Sequence, residues 1–419
     1  MRIGMLVDMY KPHISGITMH VSLTKRVLEK EGHKVFVFTF GDEDYEDDEL
    51  YIVRSPGVPL NVMDTGFHLS FRYSRTAQRK LSTMDVVHVH HPFLSGQLAL
   101  RYCRAYKLPL VFTNHTRQDL YAQHYVPYVP EALTLTFLQA YLYDLCRRCD
   151  AVIAPSPGAL KMLRQLGLDM PIQVIPNGVE LAPFQSPLRR LTRAALGLPE
   201  EALVLMYVGR LNPEKNLPFL LRAFFGVATV RPEVVLALVG DGADRDDLRD
   251  QVERSGLAHR VYFCGKAAYD QVPDYLALAD VFVTASQTEV HPLSVIEAMA
   301  AGLPVLGMDS AGVSDTITDG VDGLISPPDL AAFTARLMRL VMEPETRQRL
   351  AARARETAQL YDINRTARML LQVYEQATNH RVSLPRRDWT DSWKKLFSHR
   401  PWTLTSRRKM HGELKTNSA

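Results

Sequence analysis

Twice along the chain, short runs of Val, Ile, Leu and Phe alternate with stretches of helical period, and this alternation leaves few folds open. Strands separated by a helix lie parallel, because the helix carries the chain back to the edge it started from, and the helices then cover both faces of the sheet. In the first set, strands are expected at 3–7, 35–38, 86–89, 110–113, 151–154 and 173–175, with a helix at 19–30. In the second, strands are expected at 202–209, 234–239, 261–264, 281–284 and 305–307, and residues 329–378 read as helices. A chain of 419 residues exceeds what one core usually serves. The expected architecture is α/β: two Rossmann-like, doubly wound parallel-sheet domains facing across a cleft, over 1–185 and 186–360, with a linker rich in Pro and Arg near 180–195. Residues 361–380 are expected to form a helix crossing back to the first domain, and 381–419 a basic, Trp-containing tail.

Charge sets that tail apart. The whole chain carries only +3, yet residues 381–419 hold ten Lys or Arg against Asp388, Asp391 and Glu413, a surplus that leaves the remainder slightly acidic. All three tryptophans, Trp389, Trp393 and Trp402, lie there as well. Basic residues attract anionic headgroups and Trp favours the interface, so an anionic membrane surface is one candidate partner; a disordered extension without a partner fits the same composition. No nucleic-acid module accompanies the charge, and nucleic acid is not an expected partner. No run approaches the eighteen or so apolar residues of a membrane span, and the first residues read as a strand, so the expected location is cytoplasmic, with peripheral docking on the inner face of the cell membrane. Of the four cysteines only Cys146 and Cys149 are close, and they lack further ligands at zinc spacing, so both read as reduced, half-buried thiols.

The polar motifs fall at expected strand ends. Glu289 and Glu297 stand eight positions apart, with Pro292 suited to the first turn of a helix and Gly302 to its C-terminal cap. A helix start there would favour an anion beside the carboxylates, although an ordinary helix with an acidic start accounts for the same residues. Arg210 and Lys215 lie between a strand and a helix, where two cations would neutralise a diphosphate. The turns Gly240-Asp241-Gly242 and Gly265-Lys266 close two more strands, where backbone groups can read a base edge or simply make tight bends. The loop around Gly16 precedes the first helix and carries one glycine, not the three of the dinucleotide fingerprint, which argues against a nicotinamide or flavin enzyme. His115 follows the strand ending at Thr113, with Tyr121, His124 and Tyr125 after it. The acidic run 42–49 reads as a solvated loop.

These motifs, in this order over about residues 1–375, resemble the retaining, nucleotide-sugar-dependent glycosyltransferases of family 4, the group 1 enzymes of GT-B fold. The resemblance implies that Arg210 and Lys215 hold the donor diphosphate, that Glu297 meets the ribose, and that Glu289 lies beside the transferred sugar. It implies further that the backbone at His291, Pro292 and Leu293 contacts sugar and phosphates and that Gly16 approaches the donor phosphate; Gly265 and Lys266, from their place at a strand end, are further donor-binding candidates. His115 would line the reaction centre from the acceptor side. Neither cofactor nor metal is expected, the nucleotide-sugar being a substrate. A narrower resemblance, to bacterial diacylglycerol glycosyltransferases, runs through Ile14-Ser15-Gly16, the segment 85–90 and the segment 115–125. It implies transfer of a hexose from UDP-glucose or a similar donor to a membrane lipid such as diacylglycerol; a saccharide or other soluble acceptor, or a non-hydrolysing nucleotide-sugar epimerase, are the alternatives. One departure stands out: Val290 replaces the usual Gly and Pro292 the second position, which predicts a narrower loop with one backbone donor fewer.

Overall fold

The computed structural model describes residues 1–41, 44–60, 67–117, 131–188 and 190–379. The tail at 381–419, with its three tryptophans, and Tyr121, His124 and Tyr125 lie outside the described residues. Both sheets belong to one compact unit, Met1–Val382.

The first sheet contains β1 (Arg2–Leu6), β2 (Lys34–Phe40) and β3 (Ile52–Ser55), then, beyond a small antiparallel hairpin of β4 (Val58–Leu60) and β5 (Phe67–Leu69), β6 (Val86–Val89), β7 (Leu110–Thr113), β8 (Ala151–Ala154) and β9 (Gln173–Val174). Its order is β3-β2-β1-β6-β7-β8-β9. The second sheet is built from β10 (Leu203–Val208), β11 (Val234–Val239), β12 (Val261–Gly265), β13 (Val281–Thr284), β14 (Val305–Met308) and β15 (Leu324–Ser326), in the order β12-β11-β10-β13-β14-β15. Every pairing within both sheets is parallel. Each order reverses once, between β1 and β6 and between β10 and β13, so each sheet has a switch point at the carboxyl ends of its central strands. The hydrophobic runs have the character that a sheet covered on both faces demands: all six residues of β11 are buried. The two-domain α/β reading therefore holds. The sequence misses β3, β15 and the hairpin, which are only three or four residues long. They lie at sheet edges or outside the sheets, where a short strand needs no long apolar run.

The first helix begins earlier than its apolar pattern suggests, at Gly16–Lys30, because Ser15 caps it: Ser15 Oγ accepts a hydrogen bond from Thr18 N at 3.2 Å. The last helix, Ile363–Asn379, covers the first sheet although the second sheet precedes it in the chain. The crossing is made at Pro176-Asn177-Gly178-Val179, where Val179 N donates to Tyr361 O at 2.9 Å and Ile363 N to Val179 O at 3.0 Å. A Cβ on Gly178 would run into Thr366 Oγ1 and the Ile363 backbone, so this close approach needs glycine. Tyr374 then anchors the helix in the first core, its hydroxyl 2.7 Å from His88 Nδ1.

The acidic run departs from expectation. Asp42 and Glu43 lie outside the described residues, but Glu49 is mostly buried, 2.7 Å from Lys11 Nζ, and accepts hydrogen bonds from Ser22 Oγ at 2.7 Å and Tyr10 Oη at 2.9 Å. Asp47 pairs with Arg54 at 2.6 Å. These carboxylates fasten the loop after β1 to the first helix and to β3; runs of like charge read as solvated only while their partners, 7 to 39 residues away, are out of view. Cys146 and Cys149 are free thiols, and burial pushes the Cys146 thiol up to about 12, which keeps it protonated and inert.

Candidate active site

The carboxyl ends of both sets of central strands carry the polar motifs, and several contacts bring the two halves together there. Asn177 Nδ2 donates to His291 O at 3.0 Å, and Gly158 N donates to Asp315 Oδ2 at 2.5 Å.

On the second half, β10 ends at Val208 and delivers Gly209 and Arg210 into a turn closed by the short helix Pro213–Lys215. Arg210 Nη2 reaches Glu214 Oε1 at 3.0 Å, and Glu214 is only 2% exposed. Lys215 Nζ lies 2.6 Å from Glu289 Oε1. Burial alone would raise the Glu289 carboxyl, but the ammonium of Lys215 holds it below the ordinary carboxylate range. The segment carrying Glu289 is fixed by Gly312, whose N–H donates to Glu289 O at 3.0 Å and whose position leaves no room for a side chain. The turns after β10 and β11 approach as closely: a Cβ on Gly240 would overlap Gly209 O, and one on Gly242 would overlap Leu211 O and Asn212 Oδ1.

The helix following Glu289 spans Leu293–Ala300, with Pro292 as its N-terminal cap in extended conformation rather than inside its first turn. Its end matches the sequence reading, since Gly302 adopts a left-handed φ of 76°. Glu297 projects from the middle of this helix and is 4% exposed; burial raises its carboxyl to about 7, with the neighbouring Tyr269 phenol opposing. Val290, where the chain departs from the family pattern, is 4% exposed and belongs to the hydrophobic cluster of the first half, so its branched side chain packs across the molecule. His291 is buried too, edge-on to Tyr361 with ring centroids 5.0 Å apart. Gly265 ends β12 in a left-handed conformation, φ 73°, and accepts a hydrogen bond from Gly240 N at 2.8 Å, while Lys266 beside it is exposed.

The first half presents a different surface. Gly16 opens the first helix, and a Cβ there would meet no atom of the chain within 4 Å. His13, in the preceding loop, is held down to about 4 by burial and by the positive charges of Arg210 and Lys266. Below the loop the imidazoles crowd together: His20 and His115 have ring centroids 4.9 Å apart, His90 and His115 5.2 Å, and His88 and His90 4.0 Å. His90 Nδ1 lies 2.9 Å from His115 Nε2, and His88 bridges Tyr374 Oη and Thr113 Oγ1, both at 2.7 Å. Burial holds His20 down to about 4, and His88, His90 and His115 well below the ordinary imidazole range. Of this group the sequence reading selects only His115. The signal for the others is the strand period: His88 and His90 are two apart at the end of β6 and so share one face.

Arg210, Lys215, Glu289, His291 and Leu293 thus gather at the switch point of the second sheet; Gly16 and His115 stand at that of the first; Glu297 lies deeper along its helix. An ion-paired turn of this kind can exchange a carboxylate for a phosphate, and a neutral imidazole group can hydrogen-bond hydroxyls without adding charge.

Comparison with known proteins accords with this geometry. Residues 14–182 match the family described as Glycosyltransferase Family 4, and residues 189–357 the one described as Glycosyl transferases group 1. The chain is 30% identical to an alpha-monoglucosyldiacylglycerol synthase of Streptococcus pneumoniae over 82% of its own length and 79% of the relative's. It is 32% identical to a D-inositol 3-phosphate glycosyltransferase of Nocardiopsis dassonvillei, over 73% of each. Among solved structures, the Anabaena protein HepE in complex with UDP and glucose superposes with a TM-score of 0.72 at 20% identity, covering 89% of this chain and 98% of that one, a likeness of fold. The chain is a glycosyltransferase of GT-B fold and belongs to family 4, group 1.

Proposed function

We propose that the chain transfers a hexose, with retention, from UDP-glucose or a closely similar nucleotide-sugar to the hydroxyl of a membrane lipid such as diacylglycerol. The observation that carries this reading is the turn after β10, where Arg210 and Lys215 are placed together, each against a carboxylate, beside the Glu289 segment. The donor diphosphate takes over these two cations, which stabilise the negative charge that develops as the anomeric C–O bond breaks. The acceptor hydroxyl attacks from the same face, and its proton passes to the departing phosphate oxygen. Lys215 and Arg210 supply the positive charge, so the step is read as independent of metal. The neutral imidazole of His115 hydrogen-bonds a sugar hydroxyl from the opposite side. Glu297, at the ribose, carries its proton up to about pH 7 and can donate as well as accept there.

Support for UDP comes from the HepE complex, and support for a lipid acceptor from the diacylglycerol synthase relatives. The inositol phosphate transferase relatives favour a second reading, a soluble polyol phosphate acceptor. Among the described residues no helix is long and apolar enough to cross a membrane, so a lipid acceptor calls for surface docking, which we assign to the basic tail.

Incubating the full chain with labelled UDP-glucose, EDTA and vesicles containing diacylglycerol tests the reading: α-linked label should appear in the lipid phase. Label on an inositol phosphate supports the second reading, and an isomerised donor would point to an epimerase. In liposome sedimentation, a chain ending at Thr378 should bind anionic vesicles less than the full chain; equal binding removes the tail from the proposal.

A further inference from the structure

We infer that His20, His90 and His115 form a binding site for a borderline divalent cation of the Zn2+ type, and that the ion, by taking the imidazole facing the reaction centre, reversibly stops transfer. The second clause rests on the transferase reading above; the site itself does not. The three side chains come from three elements: the first helix, the end of β6 and the end of β7. One nitrogen of each lies within 4.8 Å of the other two, and the closest pair, His90 Nδ1 and His115 Nε2, is 2.9 Å apart. A tetrahedral zinc ion with N ligands at about 2.0–2.1 Å sets its donors about 3.3 Å apart. The close pair must therefore open by a few tenths of an ångström and His20 move inward, which rotation about the soft imidazole torsion allows.

Further observations favour a ligand over simple packing. His20 Nδ1 is buried without a hydrogen-bond partner, although the residue is only 7% exposed. An unpartnered nitrogen in such a place costs stability unless something uses the ring. In the 2.9 Å contact one ring donates its N–H to the other, so binding an ion moves that proton to the donor ring's opposite nitrogen and frees both facing lone pairs. Behind the triad, His88 is locked between Tyr374 and Thr113 and buttresses the His90 ring. A donor set of three imidazoles with no carboxylate selects Zn2+, Co2+, Ni2+ or Cu2+ over Mg2+ or Ca2+.

The test loads the full chain with ZnCl2, removes excess by gel filtration and measures bound zinc by mass spectrometry, with Co2+ absorption reporting the ligand geometry. We expect one ion per chain in the wild type and a tetrahedral cobalt spectrum. His20→Gln and His90→Gln should each weaken binding at least 100-fold, while replacing His380, His399 and His411 together should leave it unchanged. No retained ion, or one ion retained undiminished in both His20→Gln and His90→Gln, overturns the site. Should His90→Gln lose its native circular dichroism, His20→Gln carries the result. In the transfer assay without EDTA, zinc should suppress product and EDTA restore it; stoichiometric zinc with full activity overturns the switch. A chain with no transferase activity at all refutes the functional reading, while zinc retention still decides the site.

Discussion

The two sides of the cleft are polar in opposite ways. The first half lines it with imidazoles that burial keeps neutral, linked to one another, to a threonine and to a tyrosine. The second half lines it with full charges, Arg210 against Glu214 and Lys215 against Glu289. The difference has a physical origin. Several imidazolium ions within 6 Å of one another in a region of low dielectric would repel strongly, so the cluster persists only unprotonated. Ion pairs, by contrast, keep charge available in a buried place, because each partner offsets the desolvation of the other and can be traded for a phosphate of the same sign. On the proposed reading the comparison amounts to a division of labour: binding energy for an anionic donor from the second half, and positioning of neutral groups from the first.

That division breaks if substitutions on the two sides fail alike. His115→Ala should lower kcat by roughly 10³-fold, the scale of a positioned imidazole, while UDP affinity measured by calorimetry stays within about twofold. A comparable loss of UDP affinity would place the nucleotide on both halves. Lys215→Ala should weaken UDP-glucose binding by a few hundredfold, about 3–4 kcal/mol, since it removes a phosphate partner and leaves the half-buried Glu289 carboxylate without its ammonium. Wild-type affinity would remove this turn from the donor site.

How much of this was legible beforehand follows from the range of the interactions. The strands at 86–89, 110–113, 151–154, 234–239 and 281–284 coincide with β6, β7, β8, β11 and β13, because runs dominated by apolar residues report burial on both faces directly. Arg210, Lys215, Glu289 and Glu297 stand out because each follows a strand or lies on a capped helix, a local pattern. Partnerships were not legible. Nothing near Val290 in sequence says that it packs into the first half's cluster, and Glu49 finds Ser22 and Lys11 only after the sheet has formed. The histidine cluster was half visible: spacing puts His88 beside His90, but His20 joins through a helix whose facing depends on the whole fold.

The comparison sharpens further in pH. Glu297 has a folded value of about 7 against an ordinary 4.5, so its contribution to stability is present below pH 4.5 and is lost as pH rises through 7. By linkage this is worth up to about 3 kcal/mol. His20 runs the other way: held at about 4 against 6.5, it contributes stability above pH 6.5 that is lost as pH falls through 4. Urea melts across pH 4–8 should show Glu297→Gln flattening the fall between pH 4.5 and 7, and His20→Gln flattening the acid side. A Glu297→Gln chain with an unchanged pH profile would mean that this carboxyl ionises like an exposed one.

Gly16→Ala should have the smallest effect and isolates the first half's share of donor contact. No atom of the chain lies within 4 Å of the added methyl, and alanine suits a helix better than glycine, so stability should hold or rise by up to about 1 kcal/mol. The new Cβ meets only what enters the cleft. If the donor phosphate approaches this helix start, overpacking should cost about 1–2 kcal/mol of UDP-glucose affinity, roughly tenfold, with the melting point intact. Loss of affinity without loss of stability can arise only from a ligand against Gly16, whereas unchanged affinity would confine donor recognition to Arg210, Lys215 and their neighbours on the second half.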